Sequence, residues 1–219
     1  TSSSKINSIM KKLLVLIFSL FFLSSPSVFA EDISDFQIEG ISIGDSLLNY
    51  MTEDEILKEI EKNKNVYFYL KEPNKYAEVY LTIDSSTYDV VSVNIKNTSQ
   101  NKYVTNKNNE NENYIVKSIR GLMYFNEDLD SCMQKRDEIV TVLSNILPNI
   151  TKLESIYAHP SDLTGDSISS AILFYNDEVL ISQVTCLDLE ETHRIKNNWN
   201  DFLQVSLYSE ELVDWLDDY

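Results

Sequence analysis

Glycine and proline each occur only four times in 219 residues, a scarcity that excludes collagen-like, glycine-rich and proline-rich architectures. Basic side chains are also few, 18 against 35 acids, and the formal charge is −17. A chain of that sign repels polyanions, so nucleic acid is excluded as a partner and anionic lipid surfaces are disfavoured. The longest apolar run, Leu13 to Leu23, falls well short of the roughly 20 residues of a bilayer-spanning helix. What is present suits a folded domain: 43% of residues are apolar and 11% aromatic, enough to fill a core in a chain of this length.

The first thirty residues carry an export signal. Met10-Lys11-Lys12 supplies a basic start and Leu13 to Leu23 an apolar stretch. Pro26 stops the helix, and Val28-Phe29-Ala30 offers the residues a signal peptidase reads. Cleavage is expected before Glu31. Residues Thr1 to Ile9 read as an upstream extension, so residues 1–30 form a leader and 31–219 a single domain with halves 31–113 and 114–219. No cysteine follows the cleavage site to carry a lipid. All 35 acids follow Ala30 whereas Lys5, Lys11 and Lys12 precede it, so the exported part is more acidic than the whole. It is expected in the periplasm or outside the cell.

That compartment oxidises thiols, so Cys132 and Cys186 are expected to form a disulfide. The alternative, a redox or catalytic thiol, has neither a Cys-x-x-Cys spacing nor a histidine beside either residue to support it.

Periodicity predicts helices and antiparallel strands in alternation. A strand is expected at Gln37–Ile43. Thr52-Glu53-Asp54-Glu55 spells a capping box opening a helix with Ile56, Leu57 and Ile60 as its apolar stripe. Strands follow at Val66–Lys71, Tyr76–Asp84 and Tyr88–Lys96, then a polar, asparagine-rich loop over Asn97–Asn113 and a strand at Tyr114–Phe125. A helix from Asp128 to Leu147 places Cys132, Ile139, Leu143 and Ile146 on one face. Strands are predicted at Leu153–Tyr157, Ile168–Tyr175, Val179–Leu189 and Phe202–Tyr208, and a last helix, capped by Ser209, over Glu210–Asp218. The fold class is therefore α+β, an antiparallel sheet with helices packed on one face, open to reading as two helix-plus-meander pseudo-repeats. The layout resembles that of envelope and inhibitor modules of the β-lactamase-inhibitor-protein and outer-membrane-assembly lipoprotein type, an analogy of fold alone.

Ile43-Gly44-Asp45-Ser46-Leu47 resembles the nucleophile block of the GDSL esterases and lipases. The resemblance implies Ser46 as nucleophile and His193 or His159 as base, with Glu190 in the Glu-x-x-His position before His193. The simpler reading has Gly44 making a turn, Asp45 or Ser46 capping a short helical turn, and Leu47, Leu48, Tyr50 and Met51 packing beneath it. His159, Asp162 and Asp166 gather in one loop that offers either a cation site or a set of turn residues. The acids Glu210, Glu211, Asp214, Asp217 and Asp218 read as a solvated face or as a patch for a basic partner. Trp199 and the 13 tyrosines fit either a stacking groove or an ordinary half-exposed sheet. No cofactor motif is present and none is expected.

Gln37 to Leu48, with Ser209-Glu210-Glu211-Leu212-Val213-Asp214-Trp215-Leu216 near the end, is similar to secreted proteins of roughly two hundred residues found in marine bacteria. That resemblance implies no activity. The expectation is a non-catalytic binding or interaction module for an envelope protein or a small ligand. The alternatives are an ester hydrolase using Ser46 and a cation-binding protein using His159, Asp162 and Asp166.

Overall fold

A computed structural model describes residues 36–65, 75–82, 87–96, 113–147 and 149–217. The leader, the strand expected at Val66–Lys71 and nearly all of the asparagine-rich loop lie outside the described residues. The chain divides after Ala30 into two units, and the description concerns the second, Glu31–Tyr219.

The first residues form a small hairpin, β1 (Gln37–Ile38) paired with β2 (Ile41–Ser42), where the alternation predicts one strand. Glu39 and Gly40 between them both have positive φ, 51° and 79°, the conformation of a tight primed turn. Helix α1 (Glu53–Asn63) opens on the expected capping box. The Thr52 hydroxyl accepts from the Glu55 amide at 3.4 Å, and the Glu55 carboxylate accepts from the Thr52 amide at 2.9 Å. Ile56 is fully buried. Leu57, expected in the same stripe, is 45% exposed, because one residue further on rotates a side chain about 100° off the buried face.

Strands β3 (Tyr76–Leu81), β4 (Val90–Lys96) and β5 (Val116–Tyr124) follow as a meander, and then helix α2 (Leu129–Ile146). Asp128 caps α2 by accepting from the Ser131 amide at 2.9 Å. The second half continues with β6 (Thr151–Ala158), β7 (Ile168–Asn176), β8 (Val179–Asp188), a short helix α3 (Glu191–Asn197), β9 (Phe202–Tyr208) and α4 (Glu210–Asp217). Ser209 precedes α4 but does not cap it as expected. Its buried hydroxyl has no hydrogen-bond partner among the described residues, while its carbonyl accepts the Leu212 and Val213 amides.

Among the described residues the seven long strands form one antiparallel sheet in the order β3-β4-β5-β9-β8-β7-β6. Counted from the start of α2 and not from residue 114, the two halves of the sheet are β3–β5 and β6–β9; their final strands, β5 and β9, lie side by side in the middle, so these two halves share the sheet. Side chains alternate across it. Val79, Val91, Val93, Ile119, Val184, Leu203 and Val205 belong to the main core. With them pack Ile56 of α1 and Cys132 and Leu143 of α2. Ile146, expected on this face of α2, is partly exposed. Arg136, which no apolar pattern flags, is buried one turn from Cys132 and donates to the Ser170 hydroxyl at 2.7 Å. By the same alternation Tyr76 and Tyr208 point to the other face, where they join Leu212 and Trp215 of α4 in a second, smaller cluster.

Gly121 sits in β5 opposite Val91 and Val205. A Cβ there would stand 2.5 Å from the Tyr88 ring, so the strand glycine marks a close aromatic approach.

Cys132 in α2 and Cys186 in β8 are joined by a disulfide, with Cα atoms 6.0 Å apart and a sequence separation of 54. The bridge pins a helix to a central strand. Replacing both cysteines by serine is expected to lower unfolding stability by about 4 kcal/mol, the loop-closure value for this span. Urea denaturation of the two forms checks this, and a loss below about 1 kcal/mol contradicts it.

Candidate functional site

A cleft of about 300 Å³ opens on the helix side of the sheet, between β1, α2 and β9. Val205 and Leu207 of β9 face it from the sheet, Phe36 and Ile38 from the hairpin, Ile139, Val142 and Leu143 from the helix, and Tyr88 lines it as well. Polar groups come from Gln37, Lys135 and Glu138. Lys135 and Glu138 pair with each other at 3.1 Å, so the rim offers one charge of each sign. Val142 is 58% exposed, an apolar side chain left open to solvent beside this cleft. The volume lies at the lower end for small-molecule sites, and an apolar lining with few polar groups is their usual chemistry. The sequence signal was faint: Ile139 and Leu143 read simply as the buried stripe of a helix.

Ser46 is elsewhere. It makes an isolated bridge to Ile115 and is buried, and its hydroxyl donates to the Asn113 carbonyl at 2.7 Å. Gly44 has φ +93° and makes the expected turn. Ser46 precedes a 3-10 turn at Leu47–Asn49 without capping it through its side chain. The Asp45 carboxylate instead accepts from the Ser42 amide at 2.8 Å and the Tyr50 hydroxyl at 2.7 Å. Burial, with that carboxylate beside it, pushes the Tyr50 hydroxyl up to about 12.

The two histidines meet at Ser161. Its hydroxyl lies 2.7 Å from His159 Nδ1 and 3.3 Å from His193 Nε2. The Ser161 amide also points at His159 Nδ1, at 3.4 Å, an arrangement that suits a neutral ring with its proton on Nε2. Burial, with His193 nearby, pushes the His159 imidazole below its ordinary value. Glu190 does not orient the His193 ring: its carboxylate accepts the His193 backbone amide at 2.7 Å and caps α3. Helix α3 has no buried residue, so no apolar period announces it, and only this cap and left-handed Asn198 bound it. The His193 ring stands edge-on to Trp199 at 5.4 Å.

Asp162 braces the same loop. Its carboxylate accepts from the Thr164 amide and hydroxyl, at 3.0 and 2.7 Å, and from the Ser167 amide and hydroxyl, at 2.9 and 2.7 Å. Those bonds from Ser167 and Thr164 hold it well below the usual carboxylate range. Asp166 is exposed, and its amide donates to the Thr164 hydroxyl at 3.4 Å. Among the described residues no group of three or more His, Cys, Asp or Glu side chains is placed to hold a metal ion.

The sheet face opposite the main core carries a buried ion pair. Glu78, 3% exposed, pairs with Arg120 and accepts from the Ser92 hydroxyl at 3.0 Å. Burial pushes the Glu78 carboxyl up, against the opposing pull of Arg120. Of the acids near the C-terminus, Glu211 is no solvated bystander: it pairs with Lys96 of β4 and, at 2.9 Å, with Lys117 of β5.

Comparison with protein families, with curated proteins and with solved structures finds no match. No helix among the described residues is long and apolar enough to cross a membrane.

Acid should loosen the 159–167 loop in two stages. The folded state resists protonation of His159, so stability is expected to fall as pH drops through the ordinary imidazole value of 6.5. A second fall is expected below 3.8, the ordinary carboxylate value, as Asp162 is protonated. Melting temperature against pH measures both. His159→Asn should flatten the first limb and leave the second, whereas Asp162→Asn should make the second shallower and leave the first, the rest of the second limb belonging to other lowered carboxylates such as Asp128 and Glu211.

Proposed function

We propose that the protein is an exported, non-catalytic binding module whose cleft between β1, α2 and β9 holds a small apolar or amphipathic molecule. The observation that carries this reading is the cleft's lining: apolar side chains from three separate elements converge there, with Val142 left exposed beside it. Burying such surface is favourable by about 25 cal/mol per Å², and a preformed pocket avoids the cost of ordering itself around a ligand. The rim charges, Lys135 and Glu138, cancel each other. In a chain of formal charge −17 that favours a neutral head group over an anionic one.

Export is supported by the leader pattern in residues 1–30 and by the disulfide, which suits a periplasmic or extracellular protein. The catalytic alternative draws little support from Ser46, whose proton is held by a backbone carbonyl where a nucleophile needs a base.

The test uses two probes of equal chain length, 1-decanol and decanoate. Decanol is expected to raise the melting temperature saturably, because a ligand that binds only the native state adds stability. Decanoate should bind more weakly. Val142→Glu is expected to weaken decanol binding at least about tenfold while leaving the circular dichroism spectrum unchanged, since its side chain is already largely solvated. An unmoved melting temperature up to the solubility limit of decanol overturns the proposal.

A further inference from the structure

Strand β6 closes one end of the sheet, with β7 as its only strand neighbour among the described residues. Such an edge presents a row of unpaired backbone groups, and monomeric proteins blunt it with prolines, bulges, short strands or outward charges. β6 has little of this. It runs eight residues without proline or glycine and pairs with β7 in an unbroken register from Thr151 to Ala158. Its two charged side chains lean inward over α2: Lys152 donates to the Ser144 hydroxyl at 3.0 Å, and Glu154 lies 3.9 Å from Arg136. Leu153 is 53% exposed and Ile156 67%.

From this edge we infer that two copies of the chain pair through β6, antiparallel about a two-fold axis, into one continuous sheet. A two-fold normal to the sheet keeps each side chain on its own face, so only registers centred on a residue are possible. Centring on Glu154 sets two carboxylates against each other. A register centred on Ser155 puts Glu154 opposite an isoleucine. With Leu153 at the centre, Lys152 faces the partner's Glu154 twice, Leu153 faces its own copy, and Thr151 faces the partner's Ser155. Opposite charges and apolar pairs directly across a ladder stabilise it, and like charges there destabilise it. The strand's charges sum to zero, so the contact adds no repulsion of its own in an acidic chain. Affinity comes from the ladder and the register from the side chains, as in other strand additions.

Sedimentation equilibrium of the purified protein is expected to give a dimer at tens of micromolar. Lys152→Glu and Glu154→Lys should each raise the dissociation constant at least about tenfold, since two matched pairs become two mismatched ones. The double swap K152E/E154K should restore it to within about threefold. Leu153→Cys should cross-link on air oxidation, because residues facing each other across a ladder lie about 4.5–5.5 Å apart at Cα. Ser155→Cys should not, its copy lying beyond the roughly 7 Å limit for a bridge. Unchanged circular dichroism in each variant confirms folding. A wild-type monomer at hundreds of micromolar, a double swap no better than the single variants, or cross-linking through Ser155→Cys overturns the inference. None of these readings depends on the cleft, which β6 does not line.

Discussion

The hydrogen-bonded ladder between β5 and β9 is the contact on which the rest of the molecule depends. These strands end the two halves of the chain and pair from Ser118 opposite Tyr208 to Tyr124 opposite Phe202. Because they are neighbours, Ile119 and Met123 of one half and Leu203 and Leu207 of the other lie side by side in one core. Without this seam the chain would fall into a three-stranded meander with α1 and a four-stranded one with α2, α3 and α4, each burying too little apolar surface to stand well alone. Contacts so distant in sequence are slow to form but make the fold cooperative.

Around the seam the chain is fastened by a few groups, each bonded several times. The disulfide holds α2 on β8. The Asp201 carboxylate accepts from the Leu189 and Glu127 amides at 2.8 and 3.0 Å, and its carbonyl accepts from Phe125, so one residue ties three loop ends at one end of the sheet. Asp162 does the same for the β6–β7 connection. At Asp162 the donors from Ser167 and Thr164 favour the ionised carboxylate, which is how so acidic a chain places some of its charge inside. The cleft is lined by Phe36, Ile38 and Tyr88 from the first half and by α2 and β9 from the second, and its shape therefore depends on both halves.

Much of this is legible in the sequence alone. The capping box at Thr52–Glu55, the strand alternation and the apolar face around Cys132 are local patterns with one physical meaning each, and they predict the α+β class and the cysteine pairing. The sheet order was not readable, because nothing local says that β5 and β9 are neighbours. The histidines show the same limit. The resemblance to the GDSL esterases names them as candidate bases for Ser46, whereas the fold brings both to Ser161, a residue no motif singles out. Arg136 and Asp201 were missed because a buried charge looks like a surface charge until its partners are known. The cleft was hidden because Val142 and Leu143 carry the same apolar signal whether they face the sheet or a cavity.

Native-state hydrogen exchange along β5 and β9, on the oxidised protein, tests most directly that the two halves are one folded unit. Amides of Ile119, Gly121, Val205 and Leu207 should exchange only through global unfolding, with a common opening free energy equal to that from urea denaturation. If the amides of either strand open at a distinctly lower free energy, while the other half stays protected, the halves fold separately and the shared sheet is not what holds the molecule together.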